Sequence, residues 1–298
     1  MLRYIAVIQK ILYFGLVYPI SRLPFFLIYR ISDILFIILF YLIRYRRNTV
    51  YQNIKNSFSQ YSVKACEKIS FDFYRHFCDL VVESLKLFTL REKSAQERMV
   101  YKNVELIEQL SSKQKNITLM GGHYGNWELL AITINNALPY QCKALYTPLR
   151  NLFWEDKMKQ SRSRFGLQMV SIKKLLIHTK KENNPLLCTI YGSDQWPRKP
   201  HKAYWTEFLD QDTGFQKGAE KFAKKNNEAV VFGKIKKIRR GYYETEFHLI
   251  CEEPTLEKNN FIMESYKDML EAQIREVPAY YLWSHKRWKH PRPIDLEL

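Results

Sequence analysis

The cysteines of this chain form no organising pattern. Cys66, Cys78, Cys142, Cys188 and Cys251 are odd in number, scattered, and nowhere spaced C-x2-C. This argues against a zinc site or a disulfide framework and favours a reducing compartment. No uncharged apolar run reaches the ~18 residues that would mark a bilayer span outright. A cleavable signal peptide fits poorly, because apolar character continues well past residue 20 without a small-residue cleavage site. A G-x-S-x-G elbow is missing, so the serine hydrolase plan fails. Internal repeats, low-complexity linkers and a recognisable DNA- or RNA-binding signature are missing too. Acidic residues are scarce, 30 Asp+Glu against 47 Lys+Arg, and the net charge of +17 suits an anionic partner such as a nucleic acid, an acidic protein or an anionic membrane surface.

What is present is apolar and aromatic. With 298 residues, 46% hydrophobic and 15% aromatic, the chain can bury a sizeable core and is not disordered. Residues 1–45 are the most lipophilic part. Segments 11–21 and 34–43 carry no charge, while Arg22, Arg30 and Asp33 lie between them. Two pictures stay open: a helix over 24–42 that spans or half-spans a bilayer, or a pair of helices lying in the interface. Arg44, Arg46 and Arg47 follow and mark that end as cytoplasmic. Helical spacing continues over 46–60, 63–90 and 92–113, with His76 placed as a structural histidine among apolar residues.

From residue 115 the pattern alternates. Strands are predicted at 116–120, 143–147, 186–191, 203–209, 229–235 and 242–250. Helices are predicted at 126–137, 152–165, 173–181, 215–226 and 258–276. The class is α/β, a central mixed sheet covered by helices. Residues 1–45 are expected to be a membrane-anchoring appendage to a catalytic domain at 46–298.

The densest chemistry lies in Met120-Gly121-Gly122-His123-Tyr124-Gly125-Asn126-Trp127-Glu128, between a strand and a helix. His123 and Glu128 are five residues apart, about 140° of rotation on a continuous helix. They meet only if His123 precedes the helix and Glu128 reaches back from inside it. The expected chemistry is general-base catalysis, with Glu128 steadying the imidazole. The plain alternative is a buried turn histidine beside a first-turn carboxylate favoured by the helix dipole. Three further stretches stand out: Ser161-Arg162-Ser163-Arg164-Phe165-Gly166 at a helix end, Tyr191-Gly192-Ser193-Asp194-Gln195-Trp196-Pro197 beyond a strand, and the cation- and indole-rich Trp283-Ser284-His285-Lys286-Arg287-Trp288-Lys289-His290-Pro291-Arg292-Pro293. Polar residues at the carboxyl end of a buried strand commonly face a ligand crevice. The last stretch has the guanidinium forks to hold phosphate groups.

These motifs, in this order and together with Arg46-Arg47 and Asn53, resemble the late acyltransferases of lipid A biosynthesis, the lauroyl and myristoyl transferases. The His-x4-Glu element is shared with the wider glycerolipid acyltransferases, whose Phe-Pro-Glu-Gly-Thr element is not found here. The resemblance implies an enzyme on the cytoplasmic face of the bacterial inner membrane that moves an acyl chain from acyl carrier protein to a hydroxyl of a lipid A precursor. Acyl-CoA is the alternative donor, and no metal, further cofactor or nucleic acid is expected. Carried over by position, His123, Glu128, Arg164 and Asp194 are the expected catalytic group. Gly122, Asn126, Trp127, Arg150, Gln195, His285 and Arg287 are the expected substrate-binding group. Arg164 and the backbone N–H groups of 121–125 are the candidate oxyanion donors, and Asp194 is expected to hold Arg164. Many members place arginine where Thr147 stands, with Arg150 the expected substitute, and proline where Ser193 stands. Two rival functions remain. One is an acyltransferase of the same kind acting on another glycolipid, an aminolipid or a lysophospholipid. The other is a non-catalytic basic protein binding membranes or nucleic acid.

Overall fold

The structure, a computed structural model, describes residues 2–172 and 185–294. Its helices are Leu2–Leu12 (α1), Tyr18–Arg22 (α2), Phe25–Ile37 (α3), Arg47–Ser57 (α4), Val63–Lys86 (α5), Glu92–Gln96 (α6), Val104–Ser112 (α7), Trp127–Ala137 (α8), Leu152–Arg162 (α9), Gly218–Asn226 (α10) and Phe261–Glu276 (α11). Its strands are Met99–Lys102 (β1), Ile117–Gly121 (β2), Gln141–Tyr146 (β3), Gln168–Ser171 (β4), Leu187–Gly192 (β5), Tyr204–Phe208 (β6), Gln211–Phe215 (β7), Ala229–Arg239 (β8) and Tyr242–Cys251 (β9).

Seven strands form one sheet in the order β1-β9-β8-β2-β5-β3-β4, parallel throughout except for the β8–β9 hairpin. The central strand β2 is buried along Ile117, Thr118, Leu119 and Met120, the continuous apolar run expected of a parallel strand covered on both faces. Helices α8, α10 and α11 pack against the sheet. The predicted mixed α/β sheet covered by helices is therefore the observed class.

Several boundaries differ from the sequence expectation. Segment 92–113 is not one helix. The edge strand β1 interrupts it and pairs with β9, and Asn103 turns the chain at φ +56° into α7. The strand β4 has four residues, too few to show a period. The strand β7 occupies residues expected to be loop and the start of a helix. It pairs with β6 through Leu209-Asp210, both at positive φ, the geometry of a two-residue hairpin turn. That turn lacks the usual Asn-Gly and is held instead from α11, where Glu271 accepts the Leu209 N–H (3.1 Å) and Arg275 pairs with Asp210 (2.7 Å). Helix α9 ends at Arg162, three residues short of its expected end. The helix predicted at 173–181 lies outside the described residues.

The N-terminal segment does not stand apart from the sheet domain. Helix α3 lies antiparallel along α5. Tyr29 donates to Glu83 (2.9 Å), Ser32 donates to Asp79 (2.8 Å), and Phe36 and Phe40 pack on Phe71. The opposite face exposes Phe26, Leu27, Ile34 and Ile37. The stretch Phe25–Leu42 is long and apolar enough to cross a membrane. At the other end of the chain, Asn53 on α4 donates to the Trp283 and His285 carbonyls at 2.8 and 3.0 Å. Arg46 donates to the Ser284 carbonyl at 2.9 Å. The Asn53→Ala variant leaves two carbonyls without their donor. It is expected to lose roughly 1–2 kcal/mol, seen as a lower midpoint in thermal unfolding, whereas an unchanged midpoint would show that this clasp contributes nothing.

Candidate active site

The site forms where two parallel strands end side by side. Gly121 of β2 is in register with Gly192 of β5. Two residues beyond each lie His123 and Asp194, so strand pairing alone brings these side chains together. The Asp194 carboxylate receives the His123 backbone N–H at 2.9 Å through one oxygen and contacts Nδ1 of the ring at 2.6 Å through the other. An ionised carboxylate can only accept, so Nδ1 carries the proton and Nε2 is left as the basic nitrogen. Close approach requires the two flanking glycines. A Cβ on Gly192 would sit 3.1 Å from His123 Cε1, and one on Gly122 would sit 2.5 Å from Leu270 Cδ1. Trp127 closes the other side of the imidazole, edge to face at 5.2 Å between centroids. The Gln195 amide lies 3.1 Å from Nε2 and donates to it in this tautomer.

Electrostatics follows from burial and pairing. Burial opposes the imidazolium, yet the charge and hydrogen bond of Asp194, helped by Glu128, outweigh it and raise the His123 pKa. Burial also works against the Asp194 carboxylate, but His123 and the more distant Arg287 hold it below its usual range. Arg287 is 1% exposed, packs on Phe215 and donates to the Gly214 carbonyl at 2.7 Å. Desolvation lowers its pKa, opposed chiefly by Tyr281 and Asp194. The C-terminal stretch is stitched over the His123 loop by a Tyr124–Tyr281 bridge and by bonds from Leu282 N to His123 O and from Gly125 N to Tyr280 O. His285 lies nearby, its pKa lowered by burial.

Glu128 does not touch His123 and favours its imidazolium only through charge at a distance. It forms neither a hydrogen bond nor an ion pair with the ring, and its two oxygens take Nε and Nη2 of Arg162 at 2.8 and 2.6 Å. The reason is geometric: Glu128 is the second residue of α8 and faces the last turn of α9. The arginine that pairs with Glu128 is Arg162, and Arg164 does not meet it. Helix α9 ends at Arg162, so Arg164 lies in the turn that follows and donates to the Leu87 carbonyl at 2.8 Å. Asp194 consequently does not hold Arg164. Two expected oxyanion donors are already engaged, His123 N–H by Asp194 and Gly125 N–H by Tyr280 O. Thr147 receives an arginine, but from Arg198, at 3.0 Å. Arg150 is exposed and makes no side-chain hydrogen bond or ion pair among the described residues.

A buried polar group supports the loop from behind. Asn126 caps α8 by accepting the Leu129 N–H at 2.8 Å, and its amide donates to Glu83 at 2.7 Å. Glu83 also accepts from Tyr29 and Tyr243, at 2.9 and 2.8 Å. Burial pushes its carboxyl pKa up against the pull of Lys237 and the donated hydrogen bonds. His76 contacts the Gly125 carbonyl at 3.2 Å and is kept neutral by burial and Lys237, its pKa lowered to about 3. Arg162, Arg198 and Glu83 were not singled out from the sequence. Arg162 stood in the quoted arginine-serine stretch, whereas Glu83 looked like one more charge on an amphipathic helix. Among the described residues no cluster of three His, Cys, Asp or Glu side chains could hold a metal.

A sequence model of the family described as bacterial lipid A biosynthesis acyltransferase matches residues 1–290. No curated protein matches the chain. Replacing Arg287 with Met removes a buried cation near Asp194 and is expected to destabilise the fold by more than about 2 kcal/mol, measured by denaturant unfolding. A loss under half of that would show that Arg287 does not balance the buried carboxylate.

Proposed function

The chain belongs to the bacterial lipid A biosynthesis acyltransferase family, and on that premise we propose that His123, oriented by Asp194, is the general base that acylates a hydroxyl of a lipid A precursor with the thioester of acyl carrier protein. The observation that carries this reading is the 2.6 Å contact between Asp194 and Nδ1 of His123, which leaves Nε2 basic. The acceptor hydroxyl displaces the Gln195 amide and gives its proton to Nε2 as its oxygen attacks the thioester carbon. The C–S bond then breaks, and the imidazolium protonates the departing thiolate. Ester and free thiol are the products, and the base is restored. The Glu128–Arg162 pair supplies a fixed guanidinium beside the ring. Its Nη1 has no hydrogen-bond partner among the described residues and is the donor best suited to the developing oxyanion. The net charge of +17 favours encounter with an acidic carrier protein and a phosphorylated lipid.

The enzyme works from the membrane surface. Residues 1–45 act as the anchor and 46–298 as the catalytic region, with α3 in the plane of the interface. Helix α3 is joined to α5 from Tyr29 to Phe36, and α5 carries Lys64, Glu67, Lys68, Asp72 and Arg75, so a crossing α3 would drag these charges into hydrocarbon. Arg44, Arg46 and Arg47 support a position on the cytoplasmic face, whose anionic lipids attract juxtamembrane cations.

The His123→Ala variant is expected to lose transfer from acyl carrier protein thioester by about 10²–10⁴-fold. Mass spectrometry of lipid A from cells lacking the gene should show the loss of one acyl chain. Intact lipid A with an acyl chain missing from a different lipid would overturn the acceptor assignment. Because the His123 pKa is raised, the ascending limb of kcat/KM should lie above about pH 6.5, the ordinary histidine value. Asp194→Asn removes the charge that favours imidazolium, so the limb should move to lower pH while kcat falls. A limb that stays in place would refute the electrostatic role of Asp194. The combined Phe26→Ser, Leu27→Ser, Ile34→Ser and Ile37→Ser variant should move from the membrane to the soluble fraction with its circular dichroism unchanged. Full retention on membranes would exclude this face as the anchor.

A further inference from the structure

A cavity opens at the joint between α2 and α3, and His123 is not among the residues that line it. It has a volume of about 600 Å³ and is lined by Arg22, Lys86, Arg91 and Arg164, with no carboxylate in its wall. The four cations come from four different parts of the chain: the end of α2, the end of α5, the start of α6 and the segment after α9. None of them forms an ion pair among the described residues. Among the described residues, Arg22 reaches only the Tyr18 hydroxyl at 3.3 Å, Lys86 donates to the Ser21 and Leu23 carbonyls at 2.8 and 2.7 Å, Arg164 donates to the Leu87 carbonyl, and the Arg91 side chain has no hydrogen-bond partner. Convergence of like charges is unfavourable unless an anion enters, and elsewhere in this protein cations meet carboxylates, as Arg240 meets Asp33 and Asp79. Tyr18 and Phe25 line the same cavity, and the exposed side chains of Phe14, Leu16, Phe26 and Leu27 lie on the adjoining helices. An anion held here has charge on one side and a lipophilic collar on the other.

We propose that this cavity binds the phosphate ester of a membrane lipid. Arg22, Arg91 and Arg164 offer guanidinium forks, and Lys86 offers an ammonium whose pKa burial lowers. The aromatic rings and the collar receive the backbone and the first methylenes of the tails. A phosphomonoester carries close to two negative charges at neutral pH, which suits four unpaired cations better than a zwitterionic headgroup does. The inference rests on the cavity and its collar and not on acyl transfer by His123, and binding is measured without turnover.

The full-length protein in neutral detergent is titrated with dioctanoyl phosphatidic acid, dioctanoylglycerol and inorganic phosphate. Wild type should bind phosphatidic acid at least tenfold more tightly than dioctanoylglycerol or inorganic phosphate. The Arg22→Gln/Arg91→Gln variant should lose at least tenfold in affinity for phosphatidic acid, and Arg22→Lys/Arg91→Lys should recover most of it. Equal binding by the Gln variant, or by the phosphate-free lipid, overturns the site. Inorganic phosphate binding as tightly as phosphatidic acid overturns the lipid assignment. Should the double variant fail to fold, Arg22→Gln and Arg91→Gln separately must each weaken binding, and two unaffected single variants reject the proposal. The source of the phosphate is read from kinetics. A raised acceptor KM with unchanged kcat in the Gln variant assigns it to the phosphorylated acceptor, and unchanged kinetics with lost binding assigns it to a bilayer phospholipid.

Discussion

Asp194 and His123 come together because β2 and β5 are neighbours, run parallel and end in register. Everything else at the site is arranged around that contact. The glycines at 122 and 192 let the backbones and the ring approach. The C-terminal stretch closes over the loop and brings Arg287 into the field of the buried carboxylate. Trp127 and Gln195 occupy the remaining faces of the imidazole. A carboxylate so deeply buried persists because several donors and a nearby cation offset its desolvation.

A second polar seam links this loop to the lipophilic end of the molecule. Glu83 joins Tyr29 of α3, Tyr243 of β9 and Asn126 of the His123 loop. Asp79 does the same for Ser32 and Arg240. The helix that exposes Phe26 and Ile34 is therefore bonded to the element that caps α8 and presents Glu128. Such a seam fixes the His123 loop relative to the exposed apolar face of α3. The cationic cavity at the α2–α3 joint is bordered by residues of the same lipophilic segment, Tyr18 and Phe25.

Much of the architecture was legible in the sequence. Apolar runs of strand length alternated with amphipathic stretches of helical length, and that short-range periodicity encodes an α/β sheet. The elements it missed, β1, β4 and β7, are short, and two of them are edge strands. Their strand state comes from a neighbour's hydrogen bonds more than from their own side chains. His123 was conspicuous because a histidine in a glycine-rich turn after a buried strand is locally unusual. Asp194 was conspicuous for the same reason, at the end of its own strand.

Their relationship was not legible. Spacing suggested Glu128 as the partner of His123, since nearness along the chain is all that spacing can express, and the family resemblance suggested Arg164 as the partner of Asp194. The fold instead exchanged partners, with Asp194 to His123 and Arg162 to Glu128. The strand order, the register and the rotation of α9 decide this, and each depends on packing between segments tens of residues apart. The sequence by itself determined which residue types lie in the turns and which stretches form the sheet, because local sterics and hydrophobic period suffice for that. Only the tertiary structure decided which carboxylate meets the imidazole, because a contact across 71 residues is set by how the whole sheet closes.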